Sequence, residues 1–323
     1  MLIPSKADVT IVGAGAAGLT AAIWAGRTNP HRTIILLDGA AKLGAKILVA
    51  GGGRCNVTHD VVTADAYAGG SRNAIKKVLQ RFDVPATVAF FRELGVDLKR
   101  EETGKLFPTA DQARTVLNAL LAGVRQSGVT IYHPYRVTAI ARQAERFVIS
   151  GDWGALQTAV ILATGGKSLP KSGSDGYGYE LVKGLGHTVT GRIFPALVPL
   201  TLPKEHVLCS LSGLSVDATL KCAGNGKRLA SFTGAILCTH FGLSGPAVLD
   251  ISRYWIDAQR DDPQATLVVN WWPGADAQRF DAQLLALGKG APITLRCAAS
   301  CPTGWRAYFV RPPGLTRARR DTV

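Results

Sequence analysis

The stretch VTIVGAGAAGLTAAIWAG, residues 9–26, decides the fold of this chain. Four β-branched residues predict a short strand, GAGAAG (13–18) has the form GxGxxG, and an Ala-rich helix follows to about residue 26. In a dinucleotide-binding turn the first Gly allows the tight turn, the second lets backbone approach a pyrophosphate, and the third lets helix and strand pack closely. The N–H groups of the helix N-terminus then face the phosphates. The alternative is a plain βαβ unit whose glycines bind nothing.

The same run could be interpreted as a membrane segment, because Val9 to Gly26 holds no charged residue. Lys6 precedes it as in a signal peptide, but Asp8 interrupts that region and glycines interrupt the apolar run. We therefore expect no membrane partner and a soluble, cytoplasmic protein.

An acidic residue follows the next predicted strand. TIILL (33–37) is apolar and β-branched, and Asp38 comes twenty residues after Gly18. A carboxylate at this position can accept both ribose hydroxyls of an adenosine, and it disfavours a 2′-phosphate.

Two further glycine turns predict a longer ligand than one nucleotide. GAKILVAGGGRCN (44–56) offers unhindered backbone donors together with Lys46 and Arg54. TAVILATGG (158–166) is an apolar strand that runs into a second glycine turn, typical of flavin-binding folds made from two segments. The alternative for the first run is a flexible glycine turn.

Charge and cysteine content bound the partners. The 323 residues carry a formal charge of +14, and +6 of it lies in the last 36 residues, a Pro-containing segment without clear periodicity. We interpret that segment as a solvated basic tail, and we expect no nucleic-acid partner. Six dispersed cysteines without a CxxC pair predict reduced thiols and no metal site.

The remaining patterns give the domain organisation. Helices are predicted at 83–95 and 111–126, the second with an apolar stripe of Val116, Leu117, Leu120, Leu121 and Val124. From Gly191 onwards short strands and turns predict an antiparallel domain, with a short helix near 277–287. We therefore predict an α/β FAD-type domain at 1–190, a β-rich domain at 191–287 and the basic tail at 288–323.

Several longer motifs resemble one family of bacterial flavoproteins, often described as aminoacetone-oxidase-like, FAD-binding enzymes. They cover about residues 8–253 and are VGAGAAGLTAA (12–22), GAKILVAGGGRCNVTH (44–59), GKLFPTADQARTV (104–116), ILATGGKSLPKSGSDGYGYEL (161–181), PALVPL (195–200) and THFGLSGPAVLDISR (239–253).

The resemblance implies a glutathione-reductase-like Rossmann domain that binds FAD, with a mostly antiparallel β domain, containing some helix, inserted in it. Together with the turn itself, it implies a cofactor site made by Gly13, Gly15, Ala16, Ala17, Gly18, Asp38, Lys46, Gly52, Gly53, Arg54, Cys55, Asn56, Thr164, Gly165 and Gly166. Family members usually carry Glu in place of Asp38, and the shorter carboxylate should serve. They also end in a glycine-rich return segment, which we do not find after Leu287. We expect this C-terminal part to be altered, by a frameshift or gene decay.

The function implied is an FAD-dependent oxidoreductase that acts on a small organic substrate, with oxygen or NAD(P)H as redox partner. The alternative is a catalytically defective FAD-binding protein that lacks the last part of the flavin site. Flavin supplies the redox chemistry, so a catalytic acid–base pair is not required. His240 is the best candidate for proton transfer, with a structural hydrogen-bonding role as its alternative. Cys55 is a candidate redox thiol, but without a partner cysteine nearby a packing role is favoured.

Overall fold

The computed structural model describes residues 2–67 and 69–274, together with Gln278 and Ala282. Contacts along the chain divide it into two compact units, with the boundary between Thr190 and Gly191. The basic tail at 288–323, and all but two residues of the helix expected at 277–287, lie outside the described residues.

A six-stranded sheet forms the centre of the first unit, in the order β6-β2-β1-β9-β8-β7. Strands β6, β2, β1 and β9 are parallel, and β7, β8 and β9 form an antiparallel meander. The strands are β1 (Lys6–Val12), β2 (Ile34–Leu37), β6 (Thr130–Tyr132), β7 (Ala139–Gln143), β8 (Arg146–Gly151) and β9 (Gly154–Leu162). A small antiparallel sheet, β3-β5-β4, is made by β3 (Thr58–His59), β4 (Leu98–Arg100) and β5 (Lys105–Pro108).

Helices cover this sheet, and its central strands are therefore buried; all four residues of β2 are buried. The helices are α1 (Ala16–Thr28), α2 (Ala45–Val49), α3 (Arg72–Arg81), α4 (Val84–Glu93), α5 (Ala113–Gln126) and α6 (Tyr177–Gly184). The predicted stripe of α5 faces the core: Val116, Leu117, Leu120 and Val124 are buried, and Leu121 is half-buried. Inside the sheet Thr10 Oγ1 donates to Thr158 Oγ1 at 3.0 Å, which pairs two buried hydroxyls of β1 and β9.

The second unit is built on an antiparallel five-stranded sheet, β10-β13-β12-β11-β14. Its elements are β10 (Leu200–Thr201), α7 (Val207–Ser210), β11 (Ser215–Gly224), β12 (Lys227–Thr239), β13 (Gly242–Ser244), α8 (Pro246–Asp261) and β14 (Thr266–Asn270). Every second residue of β11 is buried, and α8 packs Val248 and Ile251 into the same core.

The predicted fold class is confirmed: a Rossmann-type α/β unit is followed by a unit with an antiparallel sheet and a helix. The resemblance implied some helix in this domain, but the residue pattern did not predict the position of the 16-residue α8. No helix in the described part of the chain is long and apolar enough to cross a membrane.

Candidate functional site

The three glycines of the GxGxxG turn have different roles. Gly13 has φ +106°, and a Cβ there would lie 2.5 Å from the carbonyl oxygen of Ala163. A Cβ on Gly18 would overlap the carbonyl oxygen of Gly13, so both positions require Gly for packing. Gly15 has φ −77°, which any residue can adopt, and its Cβ would meet nothing within 4 Å. Gly15 therefore leaves space open for a ligand rather than for the protein's own backbone.

The N-terminus of α1 is open in the same direction. No side chain caps this helix end, and its first turn carries no acidic residue. The first N–H groups of a helix have no acceptor within the helix, and they carry the positive end of its dipole. This end of α1 can therefore hold a negatively charged group such as a phosphate.

Asp38 closes the other side of the turn. Its Oδ2 accepts from the Ala14 N–H at 2.6 Å and its Oδ1 from the Ala40 N–H at 2.7 Å. A carboxylate offers about four lone-pair positions. Two hydrogen bonds hold the group in place, and the remaining positions can accept ribose hydroxyls.

A cavity of about 960 Å³ joins these features within the first unit. Ten of the predicted residues line it: Gly13, Gly15, Ala16, Ala17, Asp38, Lys46, Cys55, Asn56, Thr164 and Gly165. The other five, Gly18, Gly52, Gly53, Arg54 and Gly166, are not part of its lining. Most of the residues singled out along the sequence are thus brought together in one place.

The charged residues of the lining favour an anionic ligand. Lys42, Lys46, Arg136 and Lys171 line the cavity, against two carboxylates, Asp38 and Asp175. This excess of two positive charges would balance the two negative charges of a dinucleotide pyrophosphate.

The second glycine turn is fixed by the loop that follows it. Gly165 has φ +74°, and a Cβ there would lie 2.5 Å from Ser174 Oγ. That hydroxyl accepts a hydrogen bond from Lys46 Nζ at 2.7 Å. The contact brings the lysine of α2 and the turn after β9 to the same wall of the cavity.

Cys55 lines the cavity. It is buried, has φ +64°, and burial raises the pKa of its thiol. The thiolate is the nucleophilic form, and burial disfavours it. The packing role favoured from the sequence stays a prediction.

Arg54 contacts its own chain instead of the cavity. It donates to Glu101 at 2.5 Å, lies 3.6 Å from Asp111, and stacks over the Phe107 ring at 4.1 Å. The hydrogen bond to Glu101 raises the pKa of the guanidinium above its usual value. Arg54 thereby ties the glycine run to the small β3-β5-β4 sheet.

His240 lies in the second unit, between β12 and β13. Its ring packs edge-on against Phe241, with 5.0 Å between ring centroids. Nothing in its described surroundings gives it a partner for proton transfer.

Sequence reasoning missed an ion pair in the cavity wall. Arg136 donates to Asp175 at 2.7 Å, and its guanidinium lies 4.9 Å from the centre of the Tyr177 ring. The Tyr177 backbone N–H and Arg136 lower the pKa of Asp175. The glycine-rich loop 167–176 was the available signal, but its partner lies 39 residues earlier in the chain. Within the described residues no three His, Cys, Asp or Glu side chains are grouped as for a metal ion.

Fold and cavity together define a Rossmann-type dinucleotide-binding protein. The chain belongs to the family described as HI0933-like protein Rossmann domain, whose sequence profile matches residues 7–278.

Two curated relatives illustrate the range of this similarity. The chain is 35% identical over 272 residues to a 3-dehydro-bile acid delta(4,6)-reductase of Clostridium scindens, covering 84% of this chain and 66% of the relative. It is 32% identical over 278 residues to a ribosomal RNA dihydrouridine synthase of Escherichia coli, with the same two coverages. The chain thus spans just under two thirds of the length of these relatives.

Solved structures match more distantly. A 3-ketosteroid-delta4-(5alpha)-dehydrogenase from Rhodococcus jostii is 16% identical with a TM-score of 0.45, over 70% of this chain and 61% of that one. A flavocytochrome c3 fumarate reductase is 17% identical with a TM-score of 0.42, over 66% of this chain and 47% of that one. The family assignment rests on the sequence match.

Proposed function

We propose that the first unit binds FAD and that the protein is an FAD-dependent oxidoreductase. The single observation that carries the proposal is the cavity of about 960 Å³, which extends from the carboxylate of Asp38 past the open end of α1 to the glycine turn after β9. Asp38 would accept the ribose hydroxyls, and the N–H groups of Ala16 and Ala17 would hold the pyrophosphate.

The residues present fit FAD better than a nicotinamide dinucleotide alone. The cavity has the upper size of ligand sites, which is about 1,000 Å³. A second glycine turn at Gly165 and the ammonium group of Lys46 lie along it, as a long ligand with a large ring system requires. Gly15, open toward the cavity, is the position at which a side chain would be expected to obstruct the phosphates.

When bound, FAD supplies hydride transfer to or from the substrate. The chain's own residues would bind and orient FAD. The Lys46 ammonium would attract its negative charge, and Arg54 anchors the glycine run through Glu101. The buried Cys55 thiol would keep water away from one wall of the cavity. Adding hydrogen to a double bond takes a proton as well as a hydride, and we assign that proton to solvent rather than to one of these groups.

The names of the two relatives support the direction of the reaction. Both describe an addition of hydrogen, to a bile-acid derivative in one case and to uridine of ribosomal RNA in the other. We infer a reductase, with NAD(P)H or another donor as its source of electrons. A small organic substrate is the first candidate class, and a uridine in RNA is the second. The alternative is a non-catalytic FAD-binding protein.

Anaerobic rapid-mixing spectroscopy tests the proposal. The FAD-loaded chain is reduced with NADPH or NADH, and then mixed with a 4,6-dienone steroid, a uridine-containing RNA or oxygen. A reductase reoxidises with one of the two unsaturated substrates faster than with oxygen. The non-catalytic alternative would be established by two results together. Neither nicotinamide reduces the bound flavin, and flavin reduced by dithionite passes its electrons to no substrate.

A further inference from the structure

A second cavity of the first unit forms a basic groove of about 760 Å³ beside α5. One face of α5, the segment 41–43 after β2, Leu48 of α2, the segment 128–131 and His133 line this groove. Its charged and titratable side chains are Lys42, Arg114, Arg125 and His133, and among the described residues no carboxylate is part of its lining. The groove is therefore cationic along its length.

The cations of this groove have no acidic partner among the described residues. Within the part of the chain that the structure describes, neither Lys42, Arg114 nor Arg125 lies within ion-pair distance of a carboxylate. Other arginines of the unit are paired, as Arg27 is with Glu93 at 3.0 Å. A cleft lined by one sign of charge concentrates counter-ions. Its unpaired cations are available to an external anion.

Helix stability does not explain Arg114. It is the second residue of α5, whose first turn has no acidic residue and no side-chain cap. A cation in the first turn opposes the helix dipole, whereas one in the last turn, as at Arg125, favours it. Arg114 therefore occupies an electrostatically unfavourable position, as expected of a residue that serves binding.

The spacing selects an extended anion. Arg114, Asn118, Leu121 and Arg125 follow one another at helical intervals on the face that lines the groove. Eleven residues at 1.5 Å each place the two arginine Cα atoms about 16 Å apart along the axis. A single phosphate cannot contact both ends, but a strand with several phosphates can.

The lining also shows which part of such a strand it would contact. Among the residues that the structure describes, its lining holds no aromatic side chain apart from the His133 ring, so it offers no platform for stacking bases. Cations without base-reading geometry contact phosphates and position a strand without reading its sequence.

We propose that this groove binds the phosphate backbone of a single RNA strand. Ala41 and Lys42 line both the groove and the cofactor cavity, so the strand would run beside the cavity proposed for FAD. The ribosomal RNA named for relatives makes RNA the strand to test. This proposal rests on the second substrate class proposed above, a uridine in RNA, and does not depend on the cofactor. It also reverses the expectation of no nucleic-acid partner.

The test measures affinity of the full chain for a fluorescent 15-nucleotide RNA as a function of KCl concentration. For a single strand the slope of log K against log salt is about −0.7 per neutralised phosphate, so losing two cations should reduce its steepness by about 1.4. Between about 50 and 200 mM KCl, the RNA affinity of the double variant Arg114→Gln/Arg125→Gln should therefore fall by a factor about sevenfold smaller than the factor for the wild type. Neither arginine lines the cofactor cavity, so FAD retention should not change.

Arg81→Gln is the matched control, because Arg81 is exposed at the end of α3, outside the groove. It should leave the salt slope as in the wild type. The proposal is wrong if the wild type does not bind the RNA, or if the double variant keeps its slope. It is also wrong if inorganic pyrophosphate at equal phosphate concentration displaces the RNA, because the groove would then be a site for a compact anion. Loss of FAD with RNA binding intact would overturn the proposed function and leave this one standing.

Discussion

Replacing Gly15 by Ala separates ligand binding from folding. The Cβ of the variant enters open space in the cavity lining, with nothing within 4 Å, and the backbone angle of −77° suits Ala. A Gly-to-Ala change at a compatible angle stabilises by about 0.4–1 kcal/mol. Ala is a poorer N-cap than Gly, which offsets a gain of that size. The free energy of unfolding should therefore change by no more than about 0.5 kcal/mol.

The effect on the cofactor should be much larger. The new methyl group lies where the pyrophosphate would approach the N–H groups of Ala16 and Ala17. A hydrogen bond to a charged group contributes about 1.5–3 kcal/mol, so losing both costs about 3–6 kcal/mol. At 1.4 kcal/mol per tenfold, FAD should bind about 10² to 10⁴ times more weakly.

Titration of the apoprotein with FAD, followed by flavin fluorescence, measures this effect, with thermal unfolding of the same samples alongside. Gly184→Ala is the matched control, because Gly184 ends α6, is outside the cavity lining and has open space at its Cβ position. The control should bind FAD as the wild type does. If Gly15→Ala also binds FAD with wild-type affinity, the pyrophosphate does not lie at the N-terminus of α1.

Three other predictions concern stability. Gly18→Ala forces a Cβ into the Gly13 carbonyl oxygen, and overpacking of this kind costs about 1–3 kcal/mol; a thermal midpoint within 1 °C of wild type would contradict it. Arg114→Gln should raise, and Arg125→Gln should lower, the thermal midpoint, since dipole contributions of about 0.3–1 kcal/mol have opposite signs at the two ends of α5; equal shifts would contradict the helix-end argument. Burial raises the pKa of the Cys55 thiol, so as pH rises this thiol ionises in the unfolded chain before it ionises in the folded one. The free energy of unfolding is therefore unaffected below the unfolded-state pKa and falls above about pH 8.5. Urea unfolding at pH 7 and pH 10 should show a smaller alkaline loss in Cys55→Ala than in wild type.

The Rossmann unit could be predicted from sequence because its constraints are local. Gly18 is required by its contact with Gly13, five residues earlier, and Asp38 follows its strand directly. The apolar stripe of α5 likewise records burial in its spacing. Patterns of this kind depend on periods that a single sequence displays.

What could not be predicted depends on contacts between distant segments. Arg54 was assigned to the cofactor because it follows three glycines, but the structure pairs it with Glu101, 47 residues later. The Arg136–Asp175 pair has the same origin. Nearly half of the net positive charge was assigned to the tail, and only the fold gathers Lys42, Arg114 and Arg125 into one groove.

The identity of the flavin that the chain retains tests the central claim most directly. The purified protein is incubated with an equimolar mixture of FAD and FMN, passed over a desalting column, denatured, and its released flavin identified by chromatography. A site that uses Asp38 for a ribose and the end of α1 for a pyrophosphate should retain FAD selectively, at about one per chain. Retention of FMN in equal amount, or of neither flavin, would contradict the account.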